Sequence, residues 1–252
     1  MRHNTLRVAA AMALTSLVLA LAGGCQTPGF LAGYSPKRAT PADQVQPLSN
    51  GQVADVQFSM ARSLEQRGDV DSAINAYRQA LEKDPKRSIG YWRMAVLNDR
   101  KGNVQESEKL YKQALKLDPK NPEIRCDFGY SLYLQRRWAE AEDNLHEALA
   151  VKPAHSRSHT NLGLVFAQTD RLDEALAEFR KSGRQEAEAR ANLAFVLTMD
   201  RRWDEACQQY ELALDANPDS AAAKSGLENL TAIIAKTSPG KEKIAVVRGQ
   251  SD

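Results

Sequence analysis

The sequence predicts an all-α solenoid of about five helical hairpins stacked in chain order and closed by a C-terminal capping helix. Three observations predict it. The stretches GDVDSAINAYRQALEKDP, GNVQESEKLYKQALKLDP and RRWAEAEDNLHEALAVKP begin at Gly68, Gly102 and Arg136, 34 residues apart, and the same frame recurs from Asp170 and Asp200. Self-similarity at a fixed period of this length marks a repeat array. Within one period apolar and small residues fall at helical spacing, with Tyr91, Met94 and Ala95 in a first helix and Ser107, Tyr111 and Ala114 in a second. Pro85, Pro119, Pro153 and Pro218 close the second helices, because the proline ring fixes φ and cannot continue the hydrogen-bond ladder.

Residues 1–24 read as a secretory signal and stand outside the repeat array. Arg2 and Arg7 precede the apolar run Val8 to Leu21, which ends in Ala22-Gly23-Gly24 before Cys25. The run falls short of the about 20 apolar residues that a membrane span needs. Leu21-Ala22-Gly23-Gly24-Cys25 resembles the lipobox of bacterial lipoproteins, with Ala22 at the place of the usual large aliphatic residue and Leu21 one position further back. The resemblance implies that Cys25 is lipidated and anchors the chain; the alternative is an ordinary signal peptide with an incidental Cys. Gln26 stands where the enterobacterial sorting rule requires Asp for inner-membrane retention, which implies an outer-membrane location facing the periplasm. Residues 25–50 hold Pro28, Pro36, Pro41 and Pro47 with Gly29 and Gly33 and no apolar period, the composition of a tether.

The solenoid is expected over residues 51–235, with repeats near 54–87, 88–121, 122–155, 156–186 and 187–220 and a cap at 221–235. Small residues at Ala73, Ser107, Ala141, Ala175 and Ala206 mark where paired helices approach most closely. Ala175 and Ala206 are 31 residues apart rather than 34, and Lys181-Ser182-Gly183-Arg184-Gln185 lacks the closing Pro. The fourth repeat is therefore short, its second helix stopping near Gly183, which suits a left-handed cap. Residues 236–252 are charged, contain Pro239-Gly240 and read as a disordered tail, with Ile244-Ala245-Val246-Val247 as an apolar clip.

Leu162-Gly163, Phe166, Ala175 and Phe179 match the tetratricopeptide-repeat (TPR) consensus residue by residue, and four consecutive registers carry it. The chain thus resembles the TPR family, which implies a right-handed α–α superhelix whose first helices line a concave groove. With the lipobox, the tether and the short fourth repeat, it is similar to the lipoproteins of tight-adherence (Flp) pilus assembly and to type IV pilus pilotins.

Counted from the repeat starts, the groove positions carry Phe58, Arg62, Trp92, Arg93, Val96, Cys126, Asp127, Tyr130, Tyr133, Thr160, Asn161, Leu164, Asn192, Phe195 and Met199. Trp92, Tyr130, Tyr133, Leu164 and Phe195 form an apolar stripe beside Asn161 and Asn192, a composition that suits an extended peptide or a helix; packing of each side chain against neighbouring first helices is the alternative. Phe58 and Arg62 stand where chaperone-tail-binding TPR domains carry Lys and Asn, which disfavours that ligand.

No chemistry-bearing constellation competes with the groove. His155 and His159, four residues apart with Cys126 on an adjacent helix, fall short of the three or four converging ligands of a metal site and read as a surface pair. The glycines fall at turns and packing positions rather than in a phosphate-cradling loop. No cofactor, metal or small-molecule substrate is expected. Lys plus Arg number 34, and without Arg2 and Arg7 they equal the 32 Asp plus Glu; a neutral chain with interspersed charges lacks the basic face that nucleic acid requires. Cys126 and Cys207 lie in different repeats and read as small apolar residues not bridged to each other by a disulfide. The sequence therefore points to a non-enzymatic, lipid-anchored scaffold that assists assembly of a pilus or secretion complex. The alternative is a general envelope adaptor that recruits a peptidase or a cell-wall enzyme.

Overall fold

Among residues 47–237, which the computed structural model describes, eleven α-helices follow one another without a strand. They are α1 (Asn50–Gln66), α2 (Val70–Lys83), α3 (Ser88–Arg100), α4 (Val104–Leu117), α5 (Pro122–Leu134), α6 (Trp138–Val151), α7 (Ser156–Gln168), α8 (Leu172–Lys181), α9 (Glu186–Met199), α10 (Trp203–Ala216) and α11 (Ala221–Thr237). The fold is all-α, as the periodicity predicts. Each odd helix packs on the even helix after it to form a hairpin, and α11 covers α9 and α10. Successive odd helices from α3 to α9 also touch one another, and lie closer together than successive even ones. The odd helices therefore form the inner row of an α–α superhelix, the row that lines its concave side.

The hairpin turns share one backbone device. Gly68, Gly102, Arg136, Asp170 and Arg201 all have left-handed φ, between 59° and 79°. In each turn the next residue's N–H donates back to a carbonyl in the last turn of the first helix, from Asp69 to Leu64 at 3.0 Å through Arg202 to Leu197 at 2.9 Å, the Schellman arrangement that satisfies helix-end carbonyls. The fifth turn places Arg201 in this conformation, one position beyond the Asp200 that opens the matching stretch. Three of the five turns thus use a residue with a Cβ where Gly would be unstrained, at a cost of about 1 kcal/mol each.

The core explains the small residues. Ala73, Ser107, Ala141, Ala175 and Ala206 are fully buried. A Cβ added at Gly163 would lie 2.7 Å from the Phe179 ring and 3.1 Å from the Ala175 carbonyl oxygen, and one at Gly129 would lie 2.8 Å from Leu145 and 3.2 Å from the Ala141 oxygen. The paired helices cross at these points. Beside them each second helix inserts one large side chain, in turn Tyr77, Tyr111, Leu145, Phe179 and Tyr210. Two of the tyrosines satisfy their hydroxyls on the first helix of the same hairpin, Tyr77 on Glu65 and Tyr111 on Asp99, each at 3.0 Å.

Two boundaries differ from the sequence expectation. Ser49 accepts from the Gln52 N–H while the Gln52 side chain accepts from the Ser49 N–H, a capping box that starts α1 at Asn50, inside the segment read as tether. At the other end α11 runs to Thr237, two residues into the segment read as tail, because nothing before Pro239 breaks a helix. In the short fourth repeat α8 ends at Lys181 and Gly183 takes φ 92°. Ser156 Oγ donates to the Ser182 carbonyl at 2.6 Å, and Arg184 reaches Ser182 and Thr160, binding this turn to α7 without a proline.

An ion-pair ladder runs between repeats on the turn side. Arg137 meets Glu108 at 2.5 Å, Arg171 meets Glu142 at 2.9 Å and Arg202 meets Asp170 at 2.8 Å. Hydrogen bonds from Arg137 and Lys112 hold the Glu108 carboxyl down at about 2, against an ordinary value of 4.5.

Two predictions follow from this architecture. Arg136→Gly is expected to raise stability and Gly163→Ala to lower it by about 1–3 kcal/mol, as read by urea denaturation; equal effects of one sign would contradict the assigned turn and crossing. Glu108 remains charged in the fold at acidities that protonate it in the unfolded chain, so its contribution is complete above about pH 4.5 and is lost as pH falls toward 2. Glu108→Gln should therefore cost about 1–2 kcal/mol at pH 7 after solvent screening, with wild type and variant converging near pH 2.

Candidate functional site

The expected groove residues lie on the first helices of the hairpins. Trp92, Arg93 and Val96 on α3, Tyr133 on α5, Asn161 and Leu164 on α7, and Asn192 on α9 are half-buried. Tyr130 and Phe195 are exposed, at 41% and 58%. Phe58 departs from the expectation. It is buried, its ring 6.0 Å from Tyr77, and its edge occupies the space that Gly90 of the next repeat leaves empty. Arg87 lies over its other side, 5.1 Å from the ring centroid. Phe58 is therefore core between the first two repeats. Cys126, at the equivalent position of the third repeat, is also fully buried, where desolvation pushes its thiol up. It accepts a hydrogen bond from Asn161 at 3.4 Å, so Asn161 is committed to the floor of the groove.

Several polar groups of the groove are locked in the same way. Trp92 Nε1 donates to Asp127 at 2.9 Å, and Asp127 also pairs with Arg157 from the next repeat. Arg93 clamps Glu65 of the preceding repeat, which accepts from Tyr77 as well. Burial pushes the Glu65 carboxyl up, but Arg93 and Tyr77 overcome it and hold the group below the ordinary carboxylate range. These residues fix neighbouring first helices to one another; their ionic groups are saturated before any partner arrives.

What remains uncommitted is mainly apolar. Tyr130 stacks on Tyr133 with centroids 5.9 Å apart and planes at 15°, and Tyr133 leans on Trp138 at 5.3 Å, so Tyr130 is the open end of an aromatic stack. Trp92, Val96, Tyr111, Tyr130 and Leu134 line a cavity of about 420 Å³ between α3 and α5. Leu134 is 60% exposed and was not among the expected residues. Its signal lies one helical turn beyond Tyr130, the same relation that Met199, 58% exposed, has to Phe195.

The histidines are not a surface pair. His155 is buried between Ser158 at 2.7 Å and Glu123 at 3.0 Å, and His159 between Glu178 at 2.6 Å and the Pro153 carbonyl at 2.8 Å. They tie α7 to α5 and α8, filling the space behind the turn at Pro153. Among the described residues no three His, Cys, Asp or Glu are grouped to hold a metal ion, and no helix is long and apolar enough to cross a membrane. Cys25 and the apolar clip 244–247 lie outside the described residues.

Comparison with known proteins agrees with this geometry. A family model for the tetratricopeptide repeat matches residues 58–122 and 126–185. The type IV pilus assembly protein PilF of Pseudomonas aeruginosa is 30% identical over 152 residues, which cover 58% of this chain and 60% of that protein; the matched region thus spans about three fifths of this relative's length. The solved structure of Pseudomonas aeruginosa PilF superposes with a TM-score of 0.56 at 25% identity, covering 76% of this chain and 94% of that one. The type IV pilus biogenesis factor PilW (TM-score 0.57, 20% identity, 76% and 96% covered) and YrrB, a TPR protein with an unusual peptide-binding site (0.53, 21%, 69% and 92%), share the fold. The repeat period, the left-handed hairpin turns and the family match together show that this chain is built from tetratricopeptide repeats.

Proposed function

We propose that this protein is a lipid-anchored scaffold of the bacterial envelope that holds a protein partner in its groove during assembly of a pilus or secretion complex. One observation carries the binding role: Tyr130, Leu134, Phe195 and Met199 are large apolar side chains exposed on the inner row, where the packing of the hairpins does not require them. Exposed apolar side chains at the same positions of two repeats suit an interaction site. The function is retention of a partner, not turnover. The likeness to a pilus assembly protein supports the process.

The anchor rests on Cys25 and the signal-like run before it. Acyl chains contribute about 0.8 kcal/mol per buried methylene, so two or three of them make release from a membrane negligible. Gln26 favours the outer membrane, with the repeats held in the periplasm at the end of the tether.

Two experiments test the proposal. Tyr130→Ala combined with Phe195→Ala should change stability by no more than about 0.5 kcal/mol each, yet abolish capture of the partner in crosslinking pull-downs from intact envelopes; unchanged capture would show that the groove is not the site. Cys25→Ser should eliminate metabolic labelling with palmitate and release the protein from the membrane fraction. Labelling that persists in Cys25→Ser would refute the anchor.

A further inference from the structure

Charge is distributed unevenly along the groove. Between α1 and α3 a pocket of about 350 Å³ is lined by Arg62, Glu65, Gln66, Arg93 and Arg100, three guanidiniums against one carboxylate. Glu65 is already clamped by Arg93 and bonded by Tyr77. Arg62 and Arg100 are both exposed and form no ion pair among the described residues; Arg100 contributes only a longer-range attraction toward Glu65. Asp99, which lines the neighbouring cavity together with Arg100, accepts from Tyr111 and Ser131, each at 3.0 Å. Elsewhere among the described residues eight arginines, Arg87, Arg125, Arg137, Arg157, Arg171, Arg180, Arg190 and Arg202, meet carboxylates, whereas Arg67, Arg78, Arg136, Arg184 and Arg201 form no ion pair. Two unpaired guanidiniums facing one concave pocket therefore constitute an unmet positive charge.

This pocket shares Arg93 and Arg100 with the aromatic cavity of Trp92, Val96, Tyr130 and Leu134. The two are neighbouring compartments of one groove. On the reading of the groove as the partner site, we infer that the partner segment carries an Asp or Glu side chain for Arg62 and Arg100, followed by a bulky apolar side chain for the cavity. Neighbouring helices pack about 8–10 Å apart, so acid and apolar residue stand about three positions apart in an extended segment at about 3.3 Å per residue. Arginine suits the first compartment because its planar fork donates two parallel hydrogen bonds to a carboxylate. A protein side chain is the source of the charge, since a concave pocket between two helices admits a side chain and not the plane of an anionic bilayer. Recognition then has two parts: the acidic contact steers association and sets register, and the apolar contact prolongs residence.

The test is selection of peptides from a random phage-displayed library on the detergent-solubilised full chain, in wild type, in Arg62→Glu/Arg100→Glu and in Tyr130→Ala/Phe195→Ala. Wild type should enrich peptides with Asp or Glu at a fixed spacing from Leu, Phe, Tyr or Trp. The charge-reversed protein should bind those peptides at least about tenfold more weakly and enrich Lys or Arg at the same position. Wild-type enrichment of apolar peptides without the acid, or equal binding of acidic peptides to the charge-reversed protein, overturns the inference while leaving the groove reading intact. Peptide binding indifferent to Tyr130→Ala/Phe195→Ala overturns both. Capture of phosphatidylglycerol vesicles that Arg62→Glu/Arg100→Glu abolishes, without acidic peptides in the selection, would replace a protein partner by a membrane surface and likewise overturn it.

Discussion

The close crossing of the two helices in each hairpin is the constraint from which the rest of the structure descends. At Gly163 and Ala175, and again at Gly129 and Ala141, one helix's carbonyl lies where the other has no room for a further carbon. Such proximity lets each pair bury an apolar stripe despite its short helices, most of which have 13 or 14 residues. Helices of that length are marginal alone, and their stability comes from tertiary packing. Since one hairpin cannot bury its second face, it must stack on the next, and the superhelix follows from repetition.

Stacking divides the first helices into a bound side and a free side. On the bound side, contacts between repeats are made not only by apolar residues but by ion pairs and hydrogen bonds 28 to 35 positions apart, such as Arg93 with Glu65 and Trp92 with Asp127. These fix the relation of one first helix to the next and so the shape of the groove. On the free side, Tyr130, Leu134, Phe195 and Met199 have exposed apolar surface, and Arg62 and Arg100 have exposed charge. The groove is thus a rigid floor of satisfied groups carrying a smaller set of unsatisfied ones. Only the second set has free energy to offer a partner, because a group already paired must lose one interaction to gain another.

Much of the architecture was legible without coordinates. The 34-residue period, the small residues at Ala73 to Ala206, the closing prolines and the irregularity at Ala175 are local or strictly periodic signals, and each has its counterpart in the helices. The first-helix frame also put Trp92, Tyr130, Leu164 and Phe195 on the inner row, because position on a helix face follows from spacing alone. The groove reading failed where burial depends on what another repeat presents. Phe58 and Trp92 hold the same repeat position, yet Phe58 is covered because Gly90 leaves room for its ring. His155 and His159 resembled a surface pair by their place after Pro153, but Glu123, Glu178 and the Pro153 carbonyl enclose them.

The sequence by itself determined the kind of fold, the number and length of the hairpins and the face each helix turns inward, since these depend on chemistry repeated every turn or every repeat. Only the tertiary structure decided which inward residues are core, which are locked into the floor and which stay available. That outcome is set by pairs of residues about one repeat apart whose mutual fit no periodicity encodes: a ring in the gap left by a glycine, a carboxylate taken by one arginine and thereby withheld from two others.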